Sequence, residues 1–212
     1  MLEFKKSRLY CFTPGKFANG RDIIKITEDE IIGGADIIQL REKNMSDSQK
    51  LELAIKLREI TKKYKKFFIV NDDVDIAYLS DADGVHLGQN DIPPFYARKI
   101  LKDKIIGIST HNLEQYIKAQ DMDVDYVAIG PIFKTFSKDN PDPVIGIENL
   151  KKIIKYKKKM TVGIGGIKEN NLKDVIEAGV DCVAILSGIV EQNDVKYATK
   201  YYKDLILNFY KE

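Results

Sequence analysis

Short apolar runs alternate with longer segments of helical period from one end of this chain to the other, and few folds satisfy that pattern. The runs fall at residues 9–12, 37–41, 67–71, 85–87, 105–109, 126–130, 161–165 and 183–186. Helical periodicity lies between or after them at 47–64, 113–119, 147–156, 171–178 and 195–209, with shorter segments after Asn71 and around Pro93-Pro94. Eight β units, each followed by a helical unit, in 212 residues predict a single (β/α)8 barrel over 1–212. An open doubly wound sheet competes, but it usually needs fewer strands at this length. Its nucleotide-binding form wants a Gly-rich first turn, and the first run here ends Phe12-Thr13-Pro14-Gly15. Turn-like pairs at Gly33-Gly34, Asp83-Gly84 and Ala178-Gly179 precede the second, fourth and eighth runs, where glycine after a helix supplies a left-handed cap.

Chemistry in such barrels gathers at the C-terminal ends of the strands. Along the second run side chains alternate faces, so Gln39, Arg41 and Lys43 share one side while Ile38 and Leu40 take the other. Two cations and an amide at the end of a buried strand are costly unless they hold an anion, although strand ends also fray into ordinary surface charge. The third run ends in Asn71 and Asp72, the fourth reaches His86, Gly88, Gln89 and Asp91, and the fifth gives Ser109 and His111. Gly130-Pro131 and a loop with Thr135, Ser137 and Lys138 follow the sixth. The seventh closes in Gly163-Ile164-Gly165-Gly166 and the eighth in Leu186-Ser187-Gly188. These last two loops commonly form a phosphate site in this fold through backbone N–H groups and a helix N-terminus, the alternative being that the glycines only make tight turns.

Asp72 and Asp91 repel unless a cation lies between them, and hard oxygen ligands suit Mg²⁺ sharing phosphate oxygens. Either residue could also cap a following helix. With Arg41, Lys43 and Lys138 at hand, a metal-bound diphosphate is the stronger reading. His111 could carry a proton or serve as a hydrogen-bonded packing residue, while His86, inside Gly84-Val85-His86-Leu87-Gly88, reads as structural. Lys157-Lys158-Lys159 is a solvated helix end. Tyr197, Tyr201, Tyr202, Phe209 and Tyr210 read as the barrel-facing side of the last helix, with part of the stripe available to a homo-oligomer interface.

Net charge is +2, from 34 basic against 32 acidic residues, which argues against a general nucleic-acid surface. No apolar run approaches the roughly 20 residues that span a bilayer, and Met1-Leu2-Glu3-Phe4-Lys5-Lys6 has no signal-peptide core. Cys11 and Cys182 sit in apolar runs and read as buried hydrophobes of a reducing compartment. A cytoplasmic protein with small-molecule partners, no nucleic acid and no membrane is expected.

Taken together, these residues resemble the thiamine-phosphate synthase family, also called thiamine-phosphate pyrophosphorylase. The resemblance covers nearly the whole chain. It rests on Gln39-Leu40-Arg41-Glu42-Lys43, Asn71-Asp72, the segment from Asp83 to Asp91, and Gly107-Ile108-Ser109-Thr110-His111. It continues through Gly130-Pro131-Ile132-Phe133-Lys134-Thr135-Phe136-Ser137-Lys138, Gly163-Ile164-Gly165-Gly166-Ile167 and Leu186-Ser187-Gly188. Any one of these is weak; the set is specific. The resemblance implies coupling of a hydroxymethylpyrimidine diphosphate to a thiazole phosphate, with release of pyrophosphate. It implies that Gln39, Arg41, Lys43, Asn71, Ser109 and Lys138 bind the pyrimidine diphosphate and that Asp72 and Asp91 hold Mg²⁺. Thr135, Phe136, Ser137, Gly166, Leu186 and Ser187 would cradle the thiazole phosphate, and Lys138, Arg41, Lys43 and Ser109 would carry the chemistry.

Departures from the family pattern are small. Pro14 stands where an acidic residue is expected, Lys134 where proline is common, and Ser137 where threonine is expected, keeping the hydroxyl. Two other readings stay open. One is the thiazole tautomerase branch of the same superfamily, where His111 would move a proton but the full diphosphate and metal set is not needed. The other is a non-catalytic sensor of the phosphate ligand.

Overall fold

A computed structural model describes residues 3–137 and 142–210. Eight strands close into a barrel in sequence order: β1 (Leu9–Phe12), β2 (Ile37–Leu40), β3 (Phe67–Asn71), β4 (Gly84–Leu87), β5 (Ile105–Thr110), β6 (Tyr126–Ile129), β7 (Met160–Ile164) and β8 (Cys182–Ala184). Every neighbouring pair is parallel, and β8 returns to pair with β1 through Leu9 opposite Val183. The predicted (β/α)8 barrel is therefore the fold. Around it lie α1 (Ile23–Gly33), α2 (Asp47–Lys63), α3 (Val74–Leu79), α4 (Pro94–Leu101), α5 (Leu113–Gln120), α6 (Ile147–Ile154), α7 (Glu169–Glu177), α8 (Ser187–Val190) and α9 (Val195–Phe209). None of the helices among the described residues is long and apolar enough to cross a membrane.

Strand ends depart from the expected bounds where another partner takes the backbone. The second strand stops at Leu40 instead of Arg41, because Arg41 N–H donates to Thr13 Oγ1 at 2.9 Å. Gly34 caps α1 at φ 111° and Gly179 follows α7 at φ 102°, both left-handed as expected. Gly84 corrects the third expected cap: it opens β4, where an added Cβ would meet the Ile105 carbonyl oxygen at 2.0 Å. The aromatic stripe is corrected in part: Tyr202, Phe209 and Tyr210 pack against the core as expected, while Tyr197 and Tyr201 do not. α9 buries Val195, Ala198, Thr199, Tyr202 and Ile206, while Tyr197 is 67% exposed. At 100° per residue Tyr201 and Tyr202 cannot share a face, and Tyr201 instead reaches out to donate to Glu169 at 2.6 Å.

Inward side chains fill the lumen, as closure of a small barrel demands. Tyr10, Ile37, Ile69, Ile105, Tyr126, Met160 and Cys182 pack there, and Phe4 plugs the base, edge-on to Phe67 at 5.1 Å. Outward residues such as Cys11, Ile38 and Val70 join the second layer under the helices. Both cysteines are free and buried, as expected.

The base of the barrel carries a device that repeats at alternate strands. Asp36, Asp83, Asp125 and Asp181 each immediately precede an even-numbered strand. Each accepts from the backbone N–H, on the odd-numbered strand before it, that lies one residue short of the first pair between the two strands: Leu9 at 3.1 Å, Phe68 at 2.8 Å, Ile106 at 2.8 Å and Thr161 at 2.8 Å. A cation completes each one: Lys203 on Asp36, Arg58 on Asp83, Arg98 on Asp125 and Lys157 on Asp181. The bonds satisfy strand-end donors that lie below the ladder and fix neighbouring strands in register.

Asp125→Ala should therefore cost about 3 kcal/mol, because it leaves the Ile106 N–H without its acceptor and takes from Arg98 its more buried carboxylate partner, leaving only the exposed Asp123. Thermal denaturation followed by circular dichroism should show Tm falling by roughly 6–12 °C. An unchanged Tm would mean the aspartate contributes nothing to closure.

Candidate active site

The C-terminal strand ends open into a cavity of about 490 Å³. Its wall brings together Gln39, Arg41, Lys43, Asn71, Asp72 and Asp91 on one side and Thr135, Ser137, Gly166, Leu186 and Ser187 on the other. Ser109 and His111 lie between them. Phe136 does not line this cavity; its ring is 74% exposed and carries Lys134 Nζ at 5.3 Å. Lys138 lies outside the described residues.

The charged side of the cavity is set by clamped loops. Thr13 N–H donates to the Gln39 carbonyl at 2.9 Å, and Gly15 N–H donates to Glu42 at 3.0 Å, so the first loop is bolted to the second. Glu42 is thereby buried as a backbone acceptor instead of facing the cavity. Across the mouth, Asp72 takes the left-handed conformation at φ 64° directly after β3, which turns it from the strand into the cavity. Asp91 accepts from Gly88 N–H at 2.6 Å. Asp73, at the cap position of α3, makes no capping hydrogen bond and pairs with Lys50 at 2.6 Å. Burial first, then the bond to Asp91 and its charge, push the Asp72 carboxyl up to about 6, with Lys43 opposing. Two carboxylates sharing one partly buried place fit a cation between them. Among the described residues no group of three or more His, Cys, Asp or Glu gathers as a metal site, so an ion here would take its remaining ligands from water or substrate.

The opposite side offers backbone. Gly165 and Gly166 are left-handed at φ 100° and 65°, and added Cβ atoms would meet Pro131 Cα at 2.5 Å and the Lys134 carbonyl at 2.5 Å. Only glycine lets this loop lie against the preceding one. Ser187 opens α8, a helix of four residues, too short for much dipole but with amides near the cavity. Arg21 holds its far end, donating to the Val190 carbonyl and to Gln192 O at 3.2 Å while also gripping Phe17 O at 2.9 Å.

His111 Nδ1 lies 2.6 Å from Gly130 O and Nε2 lies 3.5 Å from Asp142. His86 is a buried part of the cavity floor, with its two ring nitrogens 2.8 Å from Tyr126 Oη and 2.8 Å from Ser109 Oγ. Sequence reasoning missed Tyr10, Phe12 and Asp142 on the wall. Period two could have found Tyr10 and Phe12, which share the inward face of β1.

Comparison with known proteins agrees with this geometry. The family model described as thiamine monophosphate synthase matches residues 9–189. A thiamine-phosphate synthase of Caldicellulosiruptor saccharolyticus is 45% identical over 97% of this chain and 94% of its own. One from Clostridium botulinum is 43% identical over 94% and 97%. A solved thiamine phosphate pyrophosphorylase from Pyrococcus furiosus superposes with a TM-score of 0.88 at 34% identity, covering 99% of both chains. With a family model across most of its length, relatives above 40% identity and a matching barrel, the chain belongs to the thiamine monophosphate synthase family.

Proposed function

We propose that the cavity joins 4-amino-2-methyl-5-(diphosphooxymethyl)pyrimidine to 4-methyl-5-(2-phosphooxyethyl)thiazole, giving thiamine phosphate and pyrophosphate. Family membership carries the activity, that of a transferase in thiamine biosynthesis. The observation that supports the substrate assignment is one cavity with two kinds of anion site, charged at Arg41, Lys43, Asp72 and Asp91 and backbone-built at Gly166 and Ser187. Small charged substrates suit a cytoplasmic enzyme. We extend the assignment to a single catalytic domain over residues 1–212, leaving copies of the chain free to associate.

The C–O bond to the diphosphate breaks with its electron pair leaving on oxygen, and the electron-rich aminopyrimidine stabilises the cation left behind. Arg41 and Lys43 neutralise the departing charge, and Lys138 joins them on the strength of the family resemblance. Asp72 and Asp91 would hold Mg²⁺, which when bound supplies further positive charge to the diphosphate oxygens. The thiazole nitrogen then attacks the cation, forming the C–N bond. Gln39, Asn71 and Ser109 orient the pyrimidine; Thr135, Ser137, Gly166, Leu186 and Ser187 hold the thiazole phosphate, without the outward-facing Phe136. Incubation with both substrates and Mg²⁺ should yield thiamine phosphate and pyrophosphate, and excess chelator should abolish both. Binding without turnover would favour the sensor reading.

The metal site should respond to pH. Asp72 is raised in the fold, so below about 6 it is neutral and does not repel Asp91. As pH rises through about 6 it ionises, the metal-free protein loses stability, and a cation gains affinity. Mg²⁺ should raise Tm at pH 7.5 and scarcely at pH 5, and Asp72→Asn should remove the difference. Equal shifts at both pH values would sink the assignment.

The thiazole side should depend on its phosphate. The dephosphorylated thiazole alcohol should be used far less efficiently, by kcat/KM, because the amides at Gly166 and Ser187 then have no anion to bind. Equal turnover of the two would show that the anion site lies elsewhere.

Lys138 and His111 should separate coupling from thiazole isomerisation. Lys138→Ala should raise the barrier of the chemical step by roughly 2–4 kcal/mol, as loss of one preorganised charge donor does. His111→Ala should cost less, because attack by the thiazole nitrogen needs no strong base. Single-turnover rates returning the opposite order would favour the tautomerase reading, which the His111 contact with Asp142 otherwise supports.

A further inference from the structure

A buried hydrogen-bond chain crosses the lumen beneath the cavity, and the proposed function uses only its two ends. Gln39 Nε2 donates to Tyr10 Oη at 2.8 Å, and Tyr10 Oη lies 3.0 Å from Tyr126 Oη. Tyr126 Oη lies 2.8 Å from His86 Nδ1, and His86 Nε2 lies 2.8 Å from Ser109 Oγ. Tyr10, Gln39, His86 and Ser109 line the cavity, whereas Tyr126 lies below it between the Phe4 and His86 rings. Gly107 makes the room: an added Cβ there would stand 2.0 Å from the Tyr126 ring.

Counting hydrogens fixes the direction of the chain. Tyr10 Oη accepts from Gln39, so its own hydrogen needs an acceptor in a place only 1% exposed. Tyr126 Oη is the neighbour that provides one. Tyr126 then gives its hydrogen to His86 Nδ1, which leaves the ring proton on Nε2 to donate to Ser109 Oγ. The reverse direction would bury the Tyr10 hydrogen without an acceptor. Burial pushes both phenols up, so each keeps the hydrogen this scheme requires.

We propose that Tyr10 and Tyr126 are positioning residues that hold His86 as its Nε2–H tautomer and so turn the Ser109 hydroxyl hydrogen toward the pyrimidine. The inference rests on reading this wall as the pyrimidine site. Ser109 is then a donor, while Gln39, with one amide hydrogen committed to Tyr10, keeps Oε1 as an acceptor. An aminopyrimidine offers the complement, a ring nitrogen beside an amino group. Its oxo analogue offers N–H beside C=O, the wrong way round, so the chain also selects against that analogue.

The chain has two histidines, which makes the tautomer directly readable. Long-range ¹H–¹⁵N spectra of the labelled full chain at pH 7.5, assigned with His111→Gln, should show His86 protonated at Nε2. Tyr126→Phe should yield a mixture of tautomers. The same variant should raise KM for the pyrimidine diphosphate about tenfold and leave KM for the thiazole phosphate unchanged. In a Ser109→Ala background it should change KM less than twofold, since the end of the chain is already gone. Tyr10→Phe serves the same purpose if Tyr126→Phe does not fold. His86 protonated at Nδ1 in the unaltered protein, or equal effects of Tyr126→Phe in both backgrounds, would overturn the proposal. Because the tautomer is read without substrate, an Nε2–H signal in a protein that makes no thiamine phosphate would uphold the chain's direction and overturn the proposed function instead.

Discussion

Closure of a parallel barrel leaves the first backbone donors of its strands below the ladder, and four aspartates at the base take them up. Asp36, Asp83, Asp125 and Asp181 sit at alternate strands and are each backed by a lysine or arginine. Each fixes one strand against the next, so together they set the register around the ring. Register decides which side chains face inward. A slip of one residue would exchange Tyr10 for Cys11 in the lumen and Gln39 for Ile38 or Leu40 at the mouth. The cavity's composition is thus settled at the opposite end of the molecule.

Above that base the barrel divides its polar groups by depth. Tyr10, Tyr126 and His86 spend their hydrogen-bonding capacity on one another and on the wall residues Gln39 and Ser109, so a polar lumen is built with each named link satisfied. At the rim the balance changes. Asp91 lies close enough to Asp72 to hold the Asp72 carboxyl protonated to higher pH, with Lys43 easing the conflict from the neighbouring strand end. The unresolved repulsion is local and partly exposed, and it is the property a cation site for a charged substrate needs.

Much of this was legible in the chain. Strand existence followed from apolar runs, and the mouth residues followed from period two and from reading each run's last residues. Helix α1 was harder to read, because its Ile-rich segment has no strong helix formers at its start and Glu30, which burial holds well above the usual carboxylate range, occupies a core position. Helix α3 spans only six residues and α4 starts on Pro94 directly after Pro93, so neither shows a clear period. The aspartate repeat is visible as Ala35-Asp36, Ala82-Asp83, Val124-Asp125 and Val180-Asp181, but an acidic residue before a strand is as common at an ordinary solvated turn, so the spacing alone does not reveal the bonds it makes. The approach of Asp142 to His111 spans a loop and leaves no spacing in the sequence to detect. Phe136 sits in a motif that resembles the family's, yet sequence alone does not tell which way a loop ring faces.

Arg21 joins residues that are far apart in the chain: from the first loop it reaches the carbonyls of Val190 and Gln192. The first strand likewise finds its second partner only in the last. Such contacts close late, since the entropy of a loop that long must be met before they reward it. During synthesis the charged wall, drawn from β2 to β5, is complete in sequence well before the Ser187 amide exists to face it. The wall built around Gly166 and Ser187 therefore meets its opposite wall only when most of the chain has been made, and the cavity is whole only once the barrel has closed.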